Sequence, residues 1–237
     1  MIRYLRGELM RRKNHTKTVI FILIAITLVS VSAVCLYLNL FDSKIYTAND
    51  FGIVTIKSPN DANGNGVDDY TDIMLGARKE ALSKPTYKSV YYAGGYPPDN
   101  EGVCTDTIWR AFKNAGYSLK DLVDEDIKNN ISLYPRVDGN RDTNIDFRRV
   151  PNLKVFFERH AVSYSLDPTK IMEWQPGDIV IFGNDHIAIV SDKRNRDGIT
   201  YIIHNRNQPN REEDALVSYN KYKAISGHYR FENKVSK

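Results

Sequence analysis

Apolar and polar positions along the chain form three successive patterns. Residues 18–41 are an almost unbroken apolar run, long enough to cross a bilayer core of about 30 Å as a helix. Between residues 73 and 157, apolar residues recur every three or four positions, which predicts amphipathic helices. From Trp174 onward, short apolar runs alternate with turn-forming residues, which is typical of strands. The patterns predict an α+β domain, helices packed on a small antiparallel sheet, preceded by one transmembrane helix.

Periodicity and end signals give the positions of the individual elements. We expect helices that start near residues 73, 104, 118 and 151. The predicted strands are Ile179–Phe182, His186–Val190, Ile199–His204 and Gly227–Phe231. Short turns join the first three strands, and such connections imply antiparallel pairing.

Charges on either side of the apolar run predict its orientation. Residues 1–17 form a basic leader with six Lys or Arg residues and one Glu, whereas Asp42 and Asp50 follow the run. The positive-inside rule therefore puts the N-terminus in the cytoplasm and the rest outside the cell membrane. We interpret 18–41 as an uncleaved signal-anchor. The alternative is a signal peptide cleaved near Val31-Ser32-Ala33, which would give a secreted protein.

The net charge of +4 does not indicate a nucleic-acid partner. The leader supplies the excess of basic residues, and the chain from residue 42 onward has a net charge of −1.

The number and position of the cysteines are more informative about function. Cys35 lies within the apolar run, so Cys104 is the only cysteine of the exported part and no disulfide can form there. A single thiol in an oxidising compartment is a candidate reactive group.

Residues 42–60 look like a polar tether with one possible strand at 52–56, and residues 61–72 resemble a calcium loop. The predicted ligands occupy loop positions one, three, five, seven, nine and twelve: Asp61, Asn63, Asn65, Val67 through its carbonyl, Asp69 and Asp72. Gly66 stands at position six, where the loop turns sharply. We expect Ca²⁺ to act structurally by fixing the start of the following helix. An ion-free Asn/Gly/Asp turn is the alternative.

Cys104 opens a predicted helix within the stretch Gly102–Asp106. Unpaired N–H groups and the helix dipole at such a position lower the pKa of a thiol, which suits a nucleophile. The alternative is a buried structural cysteine. A thiol nucleophile needs a base, and the base needs an orienting group. His186 opens one predicted strand and His204 ends the next, so antiparallel pairing would put them on adjacent positions.

Two further groups of polar residues have simpler interpretations. Arg148 and Arg149 could bind an acidic substrate group, but we favour pairing with neighbouring carboxylates. His160 and His228 occupy no motif position, and we interpret both as structural.

The motifs together resemble a known group of enzymes. Pro176-Gly-Asp-Ile-Val180, His186-Ile-Ala-Ile-Val190 and Tyr201–His204, after a Tyr-x-x-Gly-Gly…Cys block, resemble the NlpC-type branch of papain-like cysteine peptidases. These bacterial enzymes cut the peptide stems of peptidoglycan. Gly-Val-Cys-Thr-Asp, Asn-Ile-Asp-Phe-Arg-Arg-Val and Gly-His-Tyr-Arg resemble an uncharacterised bacterial family placed in that superfamily. The resemblance covers residues 72–237, so that 73–237 would form an NlpC-like papain-fold domain.

The resemblance implies roles for individual residues. Cys104 would be the nucleophile, His186 the general base and acid, and His204 the orienting polar residue. Tyr91, or alternatively Tyr92, would lie near the oxyanion site, with the backbone N–H of Cys104 as a second donor. The family's Asp before the cysteine and Ser-Gly after it are replaced here by Val103 and Thr105-Asp106. We expect these replacements to affect substrate specificity.

The sequence therefore predicts a membrane-anchored, extracytoplasmic cysteine peptidase or amidase. Its expected partners are peptidoglycan stem peptides, hydrolysed through a Cys104 thioester, and the membrane, through the N-terminal helix. Two alternatives stay open. One is a non-catalytic wall-binding module with the same fold, and the other is a thiol transacylase, which passes the thioester to an amine instead of water.

Overall fold

The structure, a computed structural model, describes residues 2–41 and 44–232. The chain divides into two compact units, Met1–Lys44 and Ile45–Lys237. The first two residues of the predicted tether, 42–43, and the end of the predicted domain, 233–237, lie outside the described residues.

The first unit is one long helix, α1, which spans Ile2–Phe41. Its segment Lys17–Tyr37 has a mean hydropathy of 2.9 and is long and apolar enough to cross a membrane. A signal sequence near the N-terminus would have the same properties. The prediction of one apolar N-terminal helix is therefore confirmed, while its orientation and its cleavage stay predictions.

The second unit begins with a segment that packs against the domain. Ala48–Phe51 form a short 3-10 helix, and Ala48 and Ile53 are buried. Tyr46 pairs with Arg194 through two backbone hydrogen bonds. The predicted strand at 52–56 is wrong, because Ile56 donates its N–H to the side chain of Gln175 instead of to a neighbouring strand.

Four helices precede the main sheet at the positions that the apolar spacing predicts. They are α2 (Asp69–Ser83), α3 (Cys104–Asn114), α4 (Leu119–Asn130) and α5 (Val150–His160). Side chains of Asp68 and Ser118 cap the N-termini of α2 and α4. Helix α2 starts four residues earlier than predicted, so the end of the predicted calcium loop forms its first turn.

The main sheet has six antiparallel strands in the order β3-β8-β4-β5-β6-β7. They are β3 (Ala161–Ser163), β4 (Ile179–Phe182), β5 (His186–Arg194), β6 (Thr200–Ile203), β7 (Glu212–Glu213) and β8 (Ile225–Phe231). A parallel pair, β1 (Thr86–Tyr87) and β2 (Glu101–Gly102), lies outside this sheet, and α6 (Leu216–Tyr222) precedes β8. The predicted α+β class and the four predicted strands are confirmed.

Both faces of the sheet are buried, which explains why its strands read as continuous apolar runs. Ile179 and Ile189 face the helices and pack in one core with Phe112 of α3. Val180 and its neighbours on the opposite face form a second core around Trp174. Helix α3 is thus held between α2 and the sheet, and its first residue lies against β5.

Candidate active site

Cys104 is the first residue of α3, as the sequence predicts. Val103 before it has extended backbone (φ −125°), so the chain enters the helix abruptly from β2. The Asp106 carboxylate accepts the Val103 N–H at 2.8 Å, which satisfies one donor of the first turn. The motif Gly-Val-Cys-Thr-Asp therefore encodes a helix start with its own cap.

The same carboxylate joins two of the sequence motifs. Asp106 accepts hydrogen bonds from Nε and Nη2 of Arg148, at 2.8 and 2.9 Å, and from the Trp109 indole at 2.8 Å. Both members of the Asp106–Arg148 pair are buried. Arg149 pairs with Asp146 at 3.1 Å. The interpretation of the two arginines as partners of carboxylates is confirmed, and the Arg148 guanidinium is fully engaged in the buried pair.

Cys104 is 6% exposed, and its thiol lies against the turn between β4 and β5. Its Sγ lies 4.0 Å from the carbonyl oxygen of Asp185, and the backbone N–H of Ile187 can hydrogen-bond to the thiolate. These residues flank His186 on both sides. Helix α3 thus carries the cysteine to the start of the histidine-bearing strand.

The two predicted histidines contact each other directly. His186 Nε2 lies 2.7 Å from His204 Nδ1, and both side chains are buried. On its far side, His204 Nε2 lies 3.0 Å from Oε1 of Glu213 on β7. The order His186, His204, Glu213 therefore runs from β5 across the end of β6 to β7. The Cys104 thiol lies against the two neighbours of His186 in the chain, Asp185 and Ile187.

This order of contacts determines the tautomers of both rings. The ionised carboxylate of Glu213 only accepts hydrogen bonds, so His204 carries its proton on Nε2. Nδ1 of neutral His204 is then an acceptor, and it takes the Nε2–H of His186. Nδ1 of His186 is left without a proton and can act as a base. The arrangement is the one that a histidine needs to remove a proton from a neighbouring thiol.

The protonation states differ from the sequence prediction of a lowered thiol pKa. Burial raises the pKa of Cys104 to about 11, although the N–H of Ile187 and those of the helix start oppose the shift. Burial, His204 and the charges of Arg206 and Lys223 lower the pKa of His186 to about 2. The resting pair at neutral pH is a thiol and a neutral imidazole. The prediction was wrong because desolvation of the thiolate outweighs the N–H groups of the helix start.

The predicted oxyanion tyrosines are engaged elsewhere. Tyr91 is exposed, and its hydroxyl lies 3.0 Å from Asn144 Nδ2 and 3.4 Å from Asp142 Oδ1. The Tyr92 hydroxyl donates to Glu101 at 2.7 Å. Tyr87 is set beside Gly102, two residues before Cys104, by the parallel pairing of β1 with β2. After burial, the negative charge of Cys104 is the largest cause that raises the pKa of Tyr87.

His228 is structural, as predicted. His228 contacts Asp178 at 3.0 Å and the carbonyl of Ser165 at 2.8 Å, and its ring stacks 3.7 Å from Trp174. Arg230 makes two hydrogen bonds to the same Asp178, at 2.7 and 2.8 Å. Pro-Gly-Asp and Gly-His-Tyr-Arg are therefore two halves of one buried ion cluster. His160, outside the motifs, contacts Asp126 at 3.0 Å.

The predicted calcium ligands fall into two groups. Asn63 and Asn65 converge on Asp72 Oδ2 with Nδ2 atoms at 2.7 and 2.9 Å, and Asp61 accepts the N–H of Asn65 and of Gly66. Val67 donates its N–H to Asn65. Asp69 instead accepts the Ala62 N–H and the Tyr117 hydroxyl. Within residues 2–41 and 44–232, no group of three or more His, Cys, Asp or Glu residues is placed to hold a metal ion.

Comparison with known proteins gives the family. The model of the family described as "Domain of unknown function (DUF1287)" matches residues 74–231. The chain belongs to this family. It is 38% identical over 171 residues to the "Uncharacterized protein YijF" of Escherichia coli (strain K12), and the match covers 67% of this chain and 80% of that protein. No solved structure matches the chain significantly. The DUF1287 region includes every site residue from Tyr87 to Glu213.

Three residues of the candidate site were missed by the sequence analysis. Glu213 lies on a two-residue strand, and nothing in its local pattern indicates pairing beside His204. Tyr219 of α6 stacks on His186 with ring centroids 4.9 Å apart. Tyr87 is one of several tyrosines between residues 86 and 101, and only its pairing with Gly102 singles it out.

Proposed function

We propose that this DUF1287 domain is a cysteine peptidase or amidase with an NlpC-type papain-like fold. The observation that carries the proposal is the hydrogen-bonded series His186, His204 and Glu213, whose tautomers leave His186 Nδ1 as a base. His186 lies between Asp185 and Ile187, the two residues of this strand start that the Cys104 thiol contacts. A histidine held in this tautomer by a second histidine and a carboxylate is the kind of base that activates a cysteine nucleophile.

The proposed reaction begins from the neutral pair. Sγ of Cys104 attacks the carbonyl carbon of an amide while its proton passes to Nδ1 of His186. The carbonyl π electrons move to the oxygen and form a tetrahedral oxyanion. His186 then gives the proton to the amide nitrogen, the C–N bond breaks, and an amine leaves a Cys104 thioester. Water, deprotonated by His186, hydrolyses the thioester to a carboxylic acid and restores the thiol.

Tyr87 and the start of α3 are the candidate stabilisers of the oxyanion. Tyr87 lies close enough to Cys104 for its pKa to respond to the thiolate charge, and the backbone N–H groups of Cys104 and Thr105 can hydrogen-bond to the thiolate. Glu213 acts through His204, whose ring it orients and whose positive charge it would stabilise when His186 holds the proton. Glu213 is thus a positioning residue in this reaction.

The fold and the substrate class rest on two features. A cysteine at a helix start, packed on an antiparallel sheet whose successive strands carry two histidines, supports the NlpC-type assignment. The order of motifs resembles enzymes that cut peptidoglycan stem peptides. Helix α1 could act as an export signal or as an anchor. We therefore assign the activity to the extracytoplasmic side, at the cell wall.

One observation favours a non-catalytic module instead. Cys104 is buried with a pKa raised to about 11, so its thiolate is scarce at neutral pH. A module that only holds a stem peptide would tolerate such a thiol. Slow alkylation of Cys104 in the free protein is compatible with both the peptidase and the binding module. In the peptidase, His186 has to remove the thiol proton only when substrate is bound. A transacylase would share the thioester and differ in the acceptor.

The test uses the full-length protein in detergent, incubated with purified peptidoglycan and defined muropeptides, with products identified by mass spectrometry. We expect wild-type protein to release peptide fragments and Cys104→Ala to release none. Cys35→Ala is the matched control, since it removes the other cysteine, in the apolar helix, and should keep full activity. Added glycine or an amino acid amide would appear in the product of a transacylase but not of a hydrolase.

Failure of wild-type protein to cut any peptide, while it binds muropeptides, would establish the module instead of the enzyme. Activity that survives in Cys104→Ala would exclude the proposed nucleophile.

A further inference from the structure

Arg206 lies on a loop that is tied to the cysteine. The loop follows β6, and its buried Asn205 donates from Nδ2 to the Gly102 carbonyl at 3.1 Å, two residues before Cys104. Asn205 also accepts the N–H of Asn207 at 3.1 Å, and the N–H of Arg206 donates to Gln208 at 2.6 Å. The backbone that presents Arg206 is therefore held relative to the site.

The guanidinium of Arg206 rests on aromatic rings of α6. Its Cζ lies 5.0 Å from the ring centroid of Tyr219 and 6.0 Å from that of Tyr222. Tyr219 in turn stacks on His186. Arg206 is exposed, and within residues 2–41 and 44–232 it forms no ion pair with a carboxylate. Stacking leaves the edge of a guanidinium free to make two parallel hydrogen bonds to a planar anion.

The charge of Arg206 reaches the reacting groups. After burial and His204, Arg206 is the next cause that lowers the pKa of His186, and it also acts on Tyr87. Lys223, the other cation near His186, is paired with Asp185. Arg206 is thus a cation beside the base whose charge opposes protonation of that base. An anion bound to Arg206 would remove this penalty just when His186 takes the thiol proton.

We propose that Arg206, stacked on Tyr219 and Tyr222, binds a free carboxylate of the substrate and thereby selects acidic peptides. The subsite rests on the proposed function for its substrate, but its binding step does not require turnover. The carboxylate belongs to a group next to the scissile amide, because Arg206 and the histidine share Tyr219 as a neighbour. Amidation of that carboxyl would remove both the charge and one acceptor.

The test measures binding to full-length Cys104→Ala protein by calorimetry. The probes are four tripeptide stem peptides: one with both the glutamyl α-carboxyl and the C-terminal carboxyl free, two with one of them amidated, and one with both amidated. We expect amidation of one particular carboxyl to weaken binding by roughly tenfold or more. Arg206→Gln in the same background should abolish that difference, whereas Arg206→Lys should retain part of it.

Arg196→Gln is the matched control, because Arg196 is an exposed arginine on the turn between β5 and β6 and pairs with Asp197. It should leave all four affinities unchanged. Equal affinity for the four peptides, no measurable binding at millimolar concentration, or a preference that persists in Arg206→Gln would overturn the subsite. Hydrolysis by wild-type protein is measured in a separate experiment. A failure of the proposed carboxylate subsite can therefore be distinguished from a failure of the proposed peptidase activity.

Discussion

Oε1 of Glu213 lies 3.0 Å from Nε2 of His204, on the side of the ring opposite to His186. His204 therefore lies between the Glu213 carboxylate and the proposed base, His186, which does not contact the carboxylate directly. A negative charge at this position stabilises the proton on His204 Nε2, and through that tautomer it keeps His186 Nδ1 free. The relationship between Glu213 and His204 is therefore the basis of the first prediction.

Replacement Glu213→Gln removes the charge but keeps an oxygen that can accept from His204. We expect kcat to fall by about tenfold with KM little changed, because the interaction strengthens only when positive charge forms on the histidines. Steady-state hydrolysis of a stem peptide at several pH values measures the changes in kcat and KM. Asp214→Asn, which alters the next carboxylate along the chain, is the control and should match wild type. Wild-type kcat in Glu213→Gln would show that His204 alone orients the base.

The alkylation of Cys104 should follow its raised pKa. The thiol is protonated below about pH 11, so the thiolate fraction, and with it the alkylation rate, should rise about tenfold per pH unit from pH 7 towards that value. The measurement uses iodoacetamide on Cys35→Ala protein, followed by mass spectrometry. At pH 7 the rate should lie below that of free cysteine. A rate that already levels off near neutral pH would instead indicate a thiolate–imidazolium pair.

The site positions that the sequence predicts are those set by local pattern. Cys104 was found because helix periodicity and the Gly116 stop are encoded within one segment. His186 and His204 were found because turn residues fix the ends of their strands. The raised pKa of Cys104 was not predictable in this way, because it depends on how deeply α3 is buried against β5. That depth is a property of the assembled cores.

The residues that were missed depend on contacts between distant segments. Tyr87 reaches the site only because β1 pairs with β2 across the loop that separates them. Glu213 reaches His204 because the two-residue strand β7 pairs with β6. Strands of two residues have no period to recognise. The predicted strand at 52–56 fails because its apolar residues Ile53, Val54 and Ile56 have no partner strand within the described residues.

The sequence predicts Tyr91 at the oxyanion site, whereas the structure favours Tyr87, so substitution of each tyrosine tests the two assignments. Tyr87→Phe should lower kcat by about a hundredfold, because it removes the hydroxyl that we propose as a donor to the oxyanion. Tyr91→Phe should leave kcat unchanged, since its hydroxyl contacts Asn144 and Asp142. Steady-state hydrolysis of one stem peptide decides between them. The opposite ranking would return the role to Tyr91.

The Asp106–Arg148 pair should contribute to stability rather than to substrate binding. Arg148→Met leaves the Asp106 carboxylate buried without its cation, and breaking a buried pair in this way costs about 3–5 kcal/mol of the free energy of unfolding. Arg149→Met should cost less, because that guanidinium is about one third exposed. Denaturant unfolding of the two variants measures the difference. Equal losses would show that Asp106 is solvated when Arg148 is removed.

Calcium binding by residues 61–72 stays a prediction, and the structure sharpens its test. The loop contacts the far end of the cysteine helix, since Asn63 Nδ2 donates to the Asn114 carbonyl at 2.7 Å and Asn114 Nδ2 donates to the Asp72 carbonyl at 2.9 Å. Gly66 has φ +87°, which glycine adopts readily at the sharp turn of such a loop. An ion would require Asn63 and Asn65 to turn their amide oxygens towards Asp72, a rotation of each amide by half a turn.

We expect calcium to raise the thermal midpoint of the full-length protein and a chelator to reverse the rise, because an ion that binds only the folded loop stabilises it by mass action. Asp61→Asn and Asp72→Asn should each abolish the response. Asp69→Asn should lower the midpoint without calcium, because it weakens contacts with Ala62 and Tyr117, yet it should keep the response. Magnesium at the same concentration controls for ionic strength. A midpoint that ignores calcium in wild-type protein would identify the loop as an ion-free turn that caps α3.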